Sequence, residues 1–515
     1  MSDDEASVLS VVIPTQNRWE VLAPTIDALR AQTTTDFEVV VVVDRPPTLP
    51  DFLTGVRVVE RQRRGVSAAR NAGLAAAQGR IVLFLGDDTI PAPDLVARHV
   101  TAHERNPQTE VGVLGSVRWH PDVAAGRIQR WLDWSGTQFE YHTITGEEAG
   151  WGRLYSSNVS LKRELLRAVG GFDEEFLFGY EDTDLGLRLN EKGLRLLYEP
   201  QATVSHLHRY SWPAVERRFL LVGGSEYLMI RKHPDFPPHF LRRLTDHRRV
   251  SPASVWPWVV DFVPTSPRWL RHVAELRADA WYSKRLAPSF AAGWLAAEEL
   301  DELGQLDADG RYEHVAAERL IEQRWLGDLL PQVRRAGRLL VAGCSPTMGV
   351  ALAASGYRLT FIAEEPSEQE VLTRRLERRR LTASVVAVSQ LEGIESSDGF
   401  DAGLLFGHDR FPAAATFLTV ADSTCALVAV ASRPGDLAVR EQVRRGRLVV
   451  DRRYPDGSRL RVYRGKGRLR RSESEGDQRL SARVKNYAGR WLGRRPWVPP
   501  GLSDALLEAR STPGA

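Results

Sequence analysis

Cysteine is scarce in this chain: two residues, Cys344 and Cys425, among 515. Both stand in apolar, strand-like runs, so buried inert thiols are expected. Two thiols so far apart exclude a disulfide framework and a thiolate zinc site. Long hydrophobic runs are absent too. The longest, such as Val39 to Val43 and Ala426 to Ala431, fall far short of the ~20 residues a spanning helix needs. The N-terminus, Met1-Ser2-Asp3-Asp4-Glu5, is acidic and unlike a secretory signal. Net charge is only +3, and no nucleic-acid-binding module accompanies the basic residues, so nucleic acid is not an expected partner. The expected setting is a reducing cytoplasm, with any membrane contact peripheral and at the inner face.

Hydrophobic content of 43% and charged content of 26% are those of a globular chain, and the length predicts two or three domains. Apolar runs at Val8 to Ile13, Phe37 to Val43, Val56 to Glu60 and Ile81 to Leu85 alternate with helical patterns at Val21 to Ala31 and Ser67 to Ala77. Near-continuous apolar strands between helices predict an α/β fold with a parallel sheet covered on both faces. Ligands of such sheets gather at the carboxyl ends of strands, where Thr15, Asp44, Asp87 and Asp88 stand. Val111 to Trp119 reads as a further strand, Ser160 to Val169 as a helix, and Leu194 to Tyr198 as a short strand. Asp182 to Lys192 reads as a helix closed by Gly193.

Two acidic clusters stand about one hundred residues apart. Phe84-Leu85-Gly86-Asp87-Asp88 closes a strand, and Gly179-Tyr180-Glu181-Asp182-Thr183-Asp184 opens a helix. Carboxylates suit a hard divalent cation, and a carboxylate opposite it suits a general base. Helix-dipole preference accounts for acids at a helix start, but not for the flanking glycines or for Arg188.

Five motifs occur in order: Val11-Val12-Ile13-Pro14-Thr15-Gln16-Asn17-Arg18, Gly65-Val66-Ser67-Ala68-Ala69-Arg70-Asn71-Ala72-Gly73, Phe84 to Asp88, Gly170-Gly171-Phe172-Asp173-Glu174, and Gly179 to Arg188. With them the first 210 residues or so resemble family 2 glycosyltransferases of the GT-A fold. The resemblance implies transfer of a sugar from a UDP-, GDP- or TDP-linked donor to an acceptor hydroxyl of a glycan, lipid-linked or small-molecule acceptor. It implies Mn²⁺ or Mg²⁺ held by Asp88 and by His206, with His208 competing for the latter role. Thr15, Asp44, Arg70 and Asp87 would bind the donor. Asp182 would be the base of an inverting transfer, with Glu181 supporting it or binding the acceptor. Trp151 and Tyr180 flank the acidic helix and are candidate acceptor platforms. Many relatives carry an acid where Gly86 stands.

From Pro213 to Gln332 the pattern is largely helical and rich in tryptophan. From Arg338 a second βα alternation begins and ends in a hairpin, Leu448 to Arg452 and Leu460 to Tyr463. Residues 338 to 464 resemble a class I methyltransferase-like Rossmann domain. Leu340-Val341-Ala342-Gly343-Cys344-Ser345-Pro346-Thr347 stands where that family keeps a glycine-rich cofactor loop, but an expected acid and two glycines are missing and Pro346 stiffens it. A degenerate, non-catalytic domain is the expectation; a bifunctional glycosyltransferase and methyltransferase, or an inactive scaffold, are the rivals. The expected domains are a GT-A domain at 1–230, a helical linker at 231–335, the Rossmann-like domain at 336–470 and a basic tail at 471–515. Arg483, Lys485, Arg490 and Arg494 of that tail suit anionic headgroups. Homo-oligomerisation is left open.

Overall fold

Runs of β-branched residues make the central strands of two separate sheets. The computed structural model describes residues 7–245 and 268–464, apart from 47, 62–64, 125, 177, 303, 307–310, 331–332, 334–336, 344, 395–398, 407–412, 433–446 and 454–457. Trp256, Trp258, Cys344 and the basic tail therefore lie outside the described residues. Chain contacts divide the protein into two units. The first comprises 1–238, 251–283 and 300–313, and the second 239–250, 284–299 and 314–515.

In the first unit the strands are β1 (Leu9–Pro14), β2 (Phe37–Val43), β3 (Arg57–Glu60), β4 (Ile81–Leu85), β5 (Thr89–Pro91), β6 (Val111–Trp119), β7 (Asn158–Lys162) and β8 (Arg195–His206). Their order is β3-β2-β1-β4-β7-β6-β8-β5. The first four run parallel. β7 is antiparallel to both β4 and β6, and β5 is antiparallel to β8, so the sheet is mixed. The order reverses around β1, which opens a crevice at the carboxyl ends of its neighbours.

Both faces are covered. Leu22, Ile26, Leu29, Leu95 and Val96 pack on one side with Val11, Ile13, Val41 and Leu83. Leu74, Leu165, Leu166, Leu185 and Leu189 pack on the other with Val12, Val40 and Phe84. The helix Val66–Ala76 lies so close that a Cβ at Gly73 would stand 2.3 Å from a methyl of Val12. Two sequence expectations change. Ser160 to Lys162 is strand rather than helix, because β7 fills the gap between β4 and β6; only Arg163–Ala168 is helical. β8 runs as one strand through Pro200, where its register with β6 shifts and the proline costs no ladder bond.

β7 is tied to the helix Leu95–Arg105 by a buried polar chain. Lys162 Nζ lies 2.7 Å from His103 Nδ1, and His103 Nε2 lies 2.8 Å from Ser160 Oγ. Ser160 Oγ lies 2.8 Å from His99 Nδ1, and His99 Nε2 lies 3.0 Å from Asn158 Oδ1. Asn158 Nδ2 donates to Ser116 and Ala202 carbonyls, which makes its Oδ1 the acceptor. Every donor then has one direction, and both imidazoles are neutral with the proton on Nε2. Burial lowers the His99 pKa to about 4, and burial with the Lys162 charge lowers that of His103 to about 3. The unfolded chain takes up these protons near 6.5, so it binds more protons between 6.5 and 4. Stability is therefore lost as pH falls through that window and is untouched by this pair above it. Urea midpoints at pH 7.5 and pH 5 should differ in that sense, and His99→Gln should shrink the difference; an unchanged pH dependence in the variant would refute it.

In the second unit the strands are β9 (Arg338–Ala342), β10 (Arg358–Ala363), β11 (Ser384–Ala387), β12 (Phe400–Phe406), β13 (Cys425–Ser432), β14 (Arg447–Arg453) and β15 (Arg459–Arg464). Their order is β11-β10-β9-β12-β13-β15-β14. The first five are parallel, and β15 is antiparallel to both β13 and β14. Apolar clusters cover its two faces. Cys425 is buried there, as its apolar context predicted. Helices Trp212–Lys232, Arg268–Glu302 and Arg311–Leu329 occupy much of the stretch between the sheets in sequence. Among the described residues no helix is long and apolar enough to cross a membrane.

Candidate active site

Thr15, Asp87 and Asp88 meet at the carboxyl ends of β1 and β4. The Thr15 hydroxyl donates to Asp87 Oδ2 at 2.7 Å. Arg18, from the turn after β1, forms an ion pair with Asp87 and donates to Asp88 Oδ2 at 3.0 Å. His206, the last residue of β8, brings Nε2 to 3.3 Å from Asp88 Oδ1, and His208 Nδ1 lies 3.1 Å from Asp88 Oδ2. The histidines arrive there because β5, which follows Asp88 directly, pairs with the end of β8 (Thr89 against His206). His206 stacks on Trp119 with ring centres 5.0 Å apart. Burial alone would raise the Asp88 pKa, but the hydrogen bonds from both imidazoles and the Arg18 charge hold it well below the usual range. Burial and the neighbouring Asp88 push Asp87 up. The pair thus holds different charge tendencies on adjacent residues.

Asp88 and His206 offer the oxygen and nitrogen donors that Mg²⁺ or Mn²⁺ accepts. Among the described residues no three His, Cys, Asp or Glu side chains form a closed metal cage. His206 Nδ1 is buried with no hydrogen-bond partner among the described residues. An open donor pair fits a cation that completes its shell with substrate oxygens. A Cβ at Gly86 would meet Asp88 Oδ1 at 3.1 Å, so an acid there would crowd this carboxylate.

Asp44 ends β2. Asn17, in a left-handed conformation, accepts from the Asp44 amide at 3.1 Å and donates to its carbonyl at 2.8 Å. The Asp44 side chain is exposed and forms an ion pair with Arg61.

A second group forms at the start of the helix Glu181–Asn190. Gly179 and Tyr180 both take positive φ, 83° and 67°, which turns the chain sharply into that helix. Such backbone strain in a non-glycine residue is maintained only where the surroundings impose it. Arg70, buried on the helix Val66–Ala76, donates to Glu181 Oε1 at 3.0 Å and lies 3.7 Å from Asp182 Oδ1. Its guanidinium also lies over the Phe172 ring, 5.2 Å from the centroid. The Ser156 amide donates to Asp182 Oδ2 at 2.9 Å. Burial raises the Asp182 pKa to about 6; Arg70 opposes the shift and Glu181 adds to it.

The two groups share one end of the sheet. Leu85 of β4 pairs with Asn158 of antiparallel β7. Asp87 lies two residues beyond Leu85, and Ser156 lies two residues before Asn158, so both leave the sheet at the same edge. Trp151 and Tyr180 lie elsewhere around the helix. The Trp151 carbonyl would stand 2.5 Å from a Cβ at Gly186, and Tyr180 packs edge-on against Phe236 at 6.0 Å. Arg18 and Ser156 were not singled out from the sequence. Arg18 had a signal, its place right after Asn17; Ser156 acts through a backbone amide and had none.

Residues 10–168 match the family described as Glycosyl transferase family 2. This stretch is a family 2 glycosyltransferase domain. Its sheet is mixed and part of an α/β fold. The glycosyltransferase region is 29% identical over 283 residues to the validoxylamine A glucosyltransferase of Streptomyces hygroscopicus subsp. jinggangensis, covering 46% of this chain and 64% of that one. It is 29% identical over 224 residues to the glucosyl-dolichyl phosphate glucuronosyltransferase of Haloferax volcanii, covering 38% and 68%. A solved mannosyltransferase from Pyrobaculum calidifontis, in complex with GDP-Man and Mn²⁺, aligns at 18% identity and a TM-score of 0.34, covering 62% of this chain and 88% of that one. The chain spans 30%, 64% and 60% of the length of three curated relatives it matches.

Proposed function

We propose that the first unit is a metal-dependent, inverting glycosyltransferase that moves a sugar from a nucleotide-sugar to an acceptor hydroxyl. The observation that carries this reading is Asp182: a carboxylate with its pKa raised to about 6, held by Arg70 and the Ser156 amide. The Ser156 amide that holds it leaves the sheet at the same edge as the Asp87 and Asp88 cluster. A base titrating near neutrality is matched to removing a hydroxyl proton. Asp182 takes that proton, the acceptor oxygen bonds to the anomeric carbon, and the nucleoside diphosphate leaves with the electrons of the broken bond. Asp88 and His206 would hold the cation, which neutralises charge on the departing diphosphate. Thr15, Asp44, Asp87 and Arg70 would position the donor. Arg18 keeps the paired carboxylates compensated.

The test is nucleotide release from UDP-, GDP- and TDP-sugars, with Mn²⁺ or with EDTA, for the wild type and Asp88→Asn. Metal-dependent release of one nucleotide, lost in the variant, is expected. Absence of both turnover and nucleotide binding would leave a scaffold role in its place.

The second unit supports a separate reading as a degenerate methyltransferase-like domain. What supports it is a parallel sheet closed by a hairpin, with antiparallel β15 set between β13 and β14. The loop after β9 is taken up internally: the buried Glu322 carboxylate accepts from the Ser345 amide at 3.3 Å and from its hydroxyl at 3.2 Å. Arg319 donates to the same carboxylate at 2.5 Å. S-adenosylmethionine titrated into the full chain should release no heat; a saturable heat signal would favour a bifunctional enzyme.

A further inference from the structure

The helix Arg127–Trp134 ends beside a cleft of about 320 Å³, lined by Asp133, Trp134, Phe139, Tyr141 and His142. A narrower crevice lined by Trp119, Asp133, Phe139 and His206 adjoins it, sharing Asp133 and Phe139. The crevice thus lies between the cleft and His206, whose imidazole faces Asp88. Its volume is at the lower end for ligand clefts, roughly 300–1,000 Å³, and suits one sugar-sized ring.

The aromatic walls are fixed in advance. Phe139 meets Tyr155 at 5.0 Å and Tyr141 at 5.6 Å, and Tyr141 stacks on Tyr198 at 5.8 Å. The Tyr141 hydroxyl donates to the Gly115 carbonyl at 3.1 Å, which leaves its ring as the surface offered to a ligand. Asp133 and His142 are exposed and supply a carboxylate and an imidazole to the lining. Behind these walls stands Tyr155, packed against both Phe139 and Tyr141. Tyr155 precedes Ser156, whose amide holds Asp182, and both Tyr141 and Tyr155 feel the Asp182 charge.

We propose that this cleft seats the acceptor as a neutral pyranose-like polyol, its C–H faces against Trp134, Phe139 and Tyr141 and its hydroxyls on Asp133 and His142. The assignment rests on the transferase reading above. Aromatic faces with a few polar groups suit a ring that is apolar on its faces and hydroxylated at its edge. Asp133 disfavours an anionic acceptor, and a cleft of this volume is too small for a long acyl or polyprenyl chain. Trp151 and Tyr180 line neither cavity.

Saturation-transfer difference NMR on the full chain tests this, with methyl β-D-glucopyranoside and, separately, UDP, GDP and TDP as probes. The pyranoside ring protons should respond in the wild type. Trp134→Ala should weaken that response by about tenfold in apparent affinity, the loss of one aromatic platform. His142→Ala, at an exposed position that does not endanger folding, should weaken it several-fold, and the nucleotide response should persist in both variants. No pyranoside response in the wild type, or an equal response in both variants, overturns the assignment. If every nucleotide is silent while the pyranoside response still follows Trp134 and His142, the transferase reading fails and the cleft stands as a carbohydrate site.

Discussion

Asp182→Asn should leave nucleotide affinity unchanged and lower turnover by about 10²- to 10⁴-fold, the range a positioned general base contributes. The amide keeps the shape of the side chain but cannot accept the acceptor proton. Among the described residues no hydrogen bond or ion pair joins Asp182 to Asp87, Asp88 or His206, so calorimetric binding of the nucleotide is expected to survive. Loss of nucleotide binding would instead place Asp182 in the donor site. The wild-type enzyme carries a linked pH signature. With the Asp182 pKa raised to about 6 by burial, the active carboxylate form declines as pH falls through that value. The kcat/KM profile should therefore show an acidic limb near pH 6, and that limb should be missing from the residual activity of Asp182→Asn. A limb near pH 4 would mean that an ordinary, solvated carboxylate does the work.

Arg70→Met should destabilise the first unit by roughly 3–5 kcal/mol, the cost of removing one partner from a buried ion pair. Arg70 and Glu181 are both buried, and Glu181 Oε2 already has no partner among the described residues. Methionine retains most of the packing against Phe172, so the loss reports mainly on charge. Arg70 also opposes the raised pKa of Asp182, so its removal should move the acidic limb of the rate profile to higher pH. Arg70→Lys keeps the charge but not the planar fork, and should recover most of the stability with less of the activity. Denaturant midpoints, together with pH profiles of nucleotide release, separate these effects. An Arg70→Met protein as stable as wild type would show that the pair is not desolvated.

The strand cores β1, β2 and β4 were legible because continuous apolar runs have one outcome in an α/β chain: burial on both faces. The acidic residues that end β4 and open the helix Glu181–Asn190 were legible because glycines and apolar runs frame them. Local pattern failed where pairing with a distant strand decided the outcome. Ser160 to Lys162 has residues compatible with a helix, but it occupies the slot between β4 and β6. The short strand read over Leu194 to Tyr198 continues through Pro200, where β8 shifts register and needs no donor.

Sequence alone thus determined which chemistry the first unit carries: which carboxylates end strands, which open a helix, and in what order the motifs come. Those are local properties of side-chain type and spacing. Only tertiary structure decided which groups act together. Pairing of β5 with the end of β8 brings His206 to Asp88, and antiparallel β7 brings the Ser156 amide to Asp182. The same fold turns Trp134, Phe139 and Tyr141 into the walls of a cleft. The His206–Asp88 and Ser156–Asp182 contacts join residues tens to more than a hundred positions apart, and no periodicity in the chain encodes them.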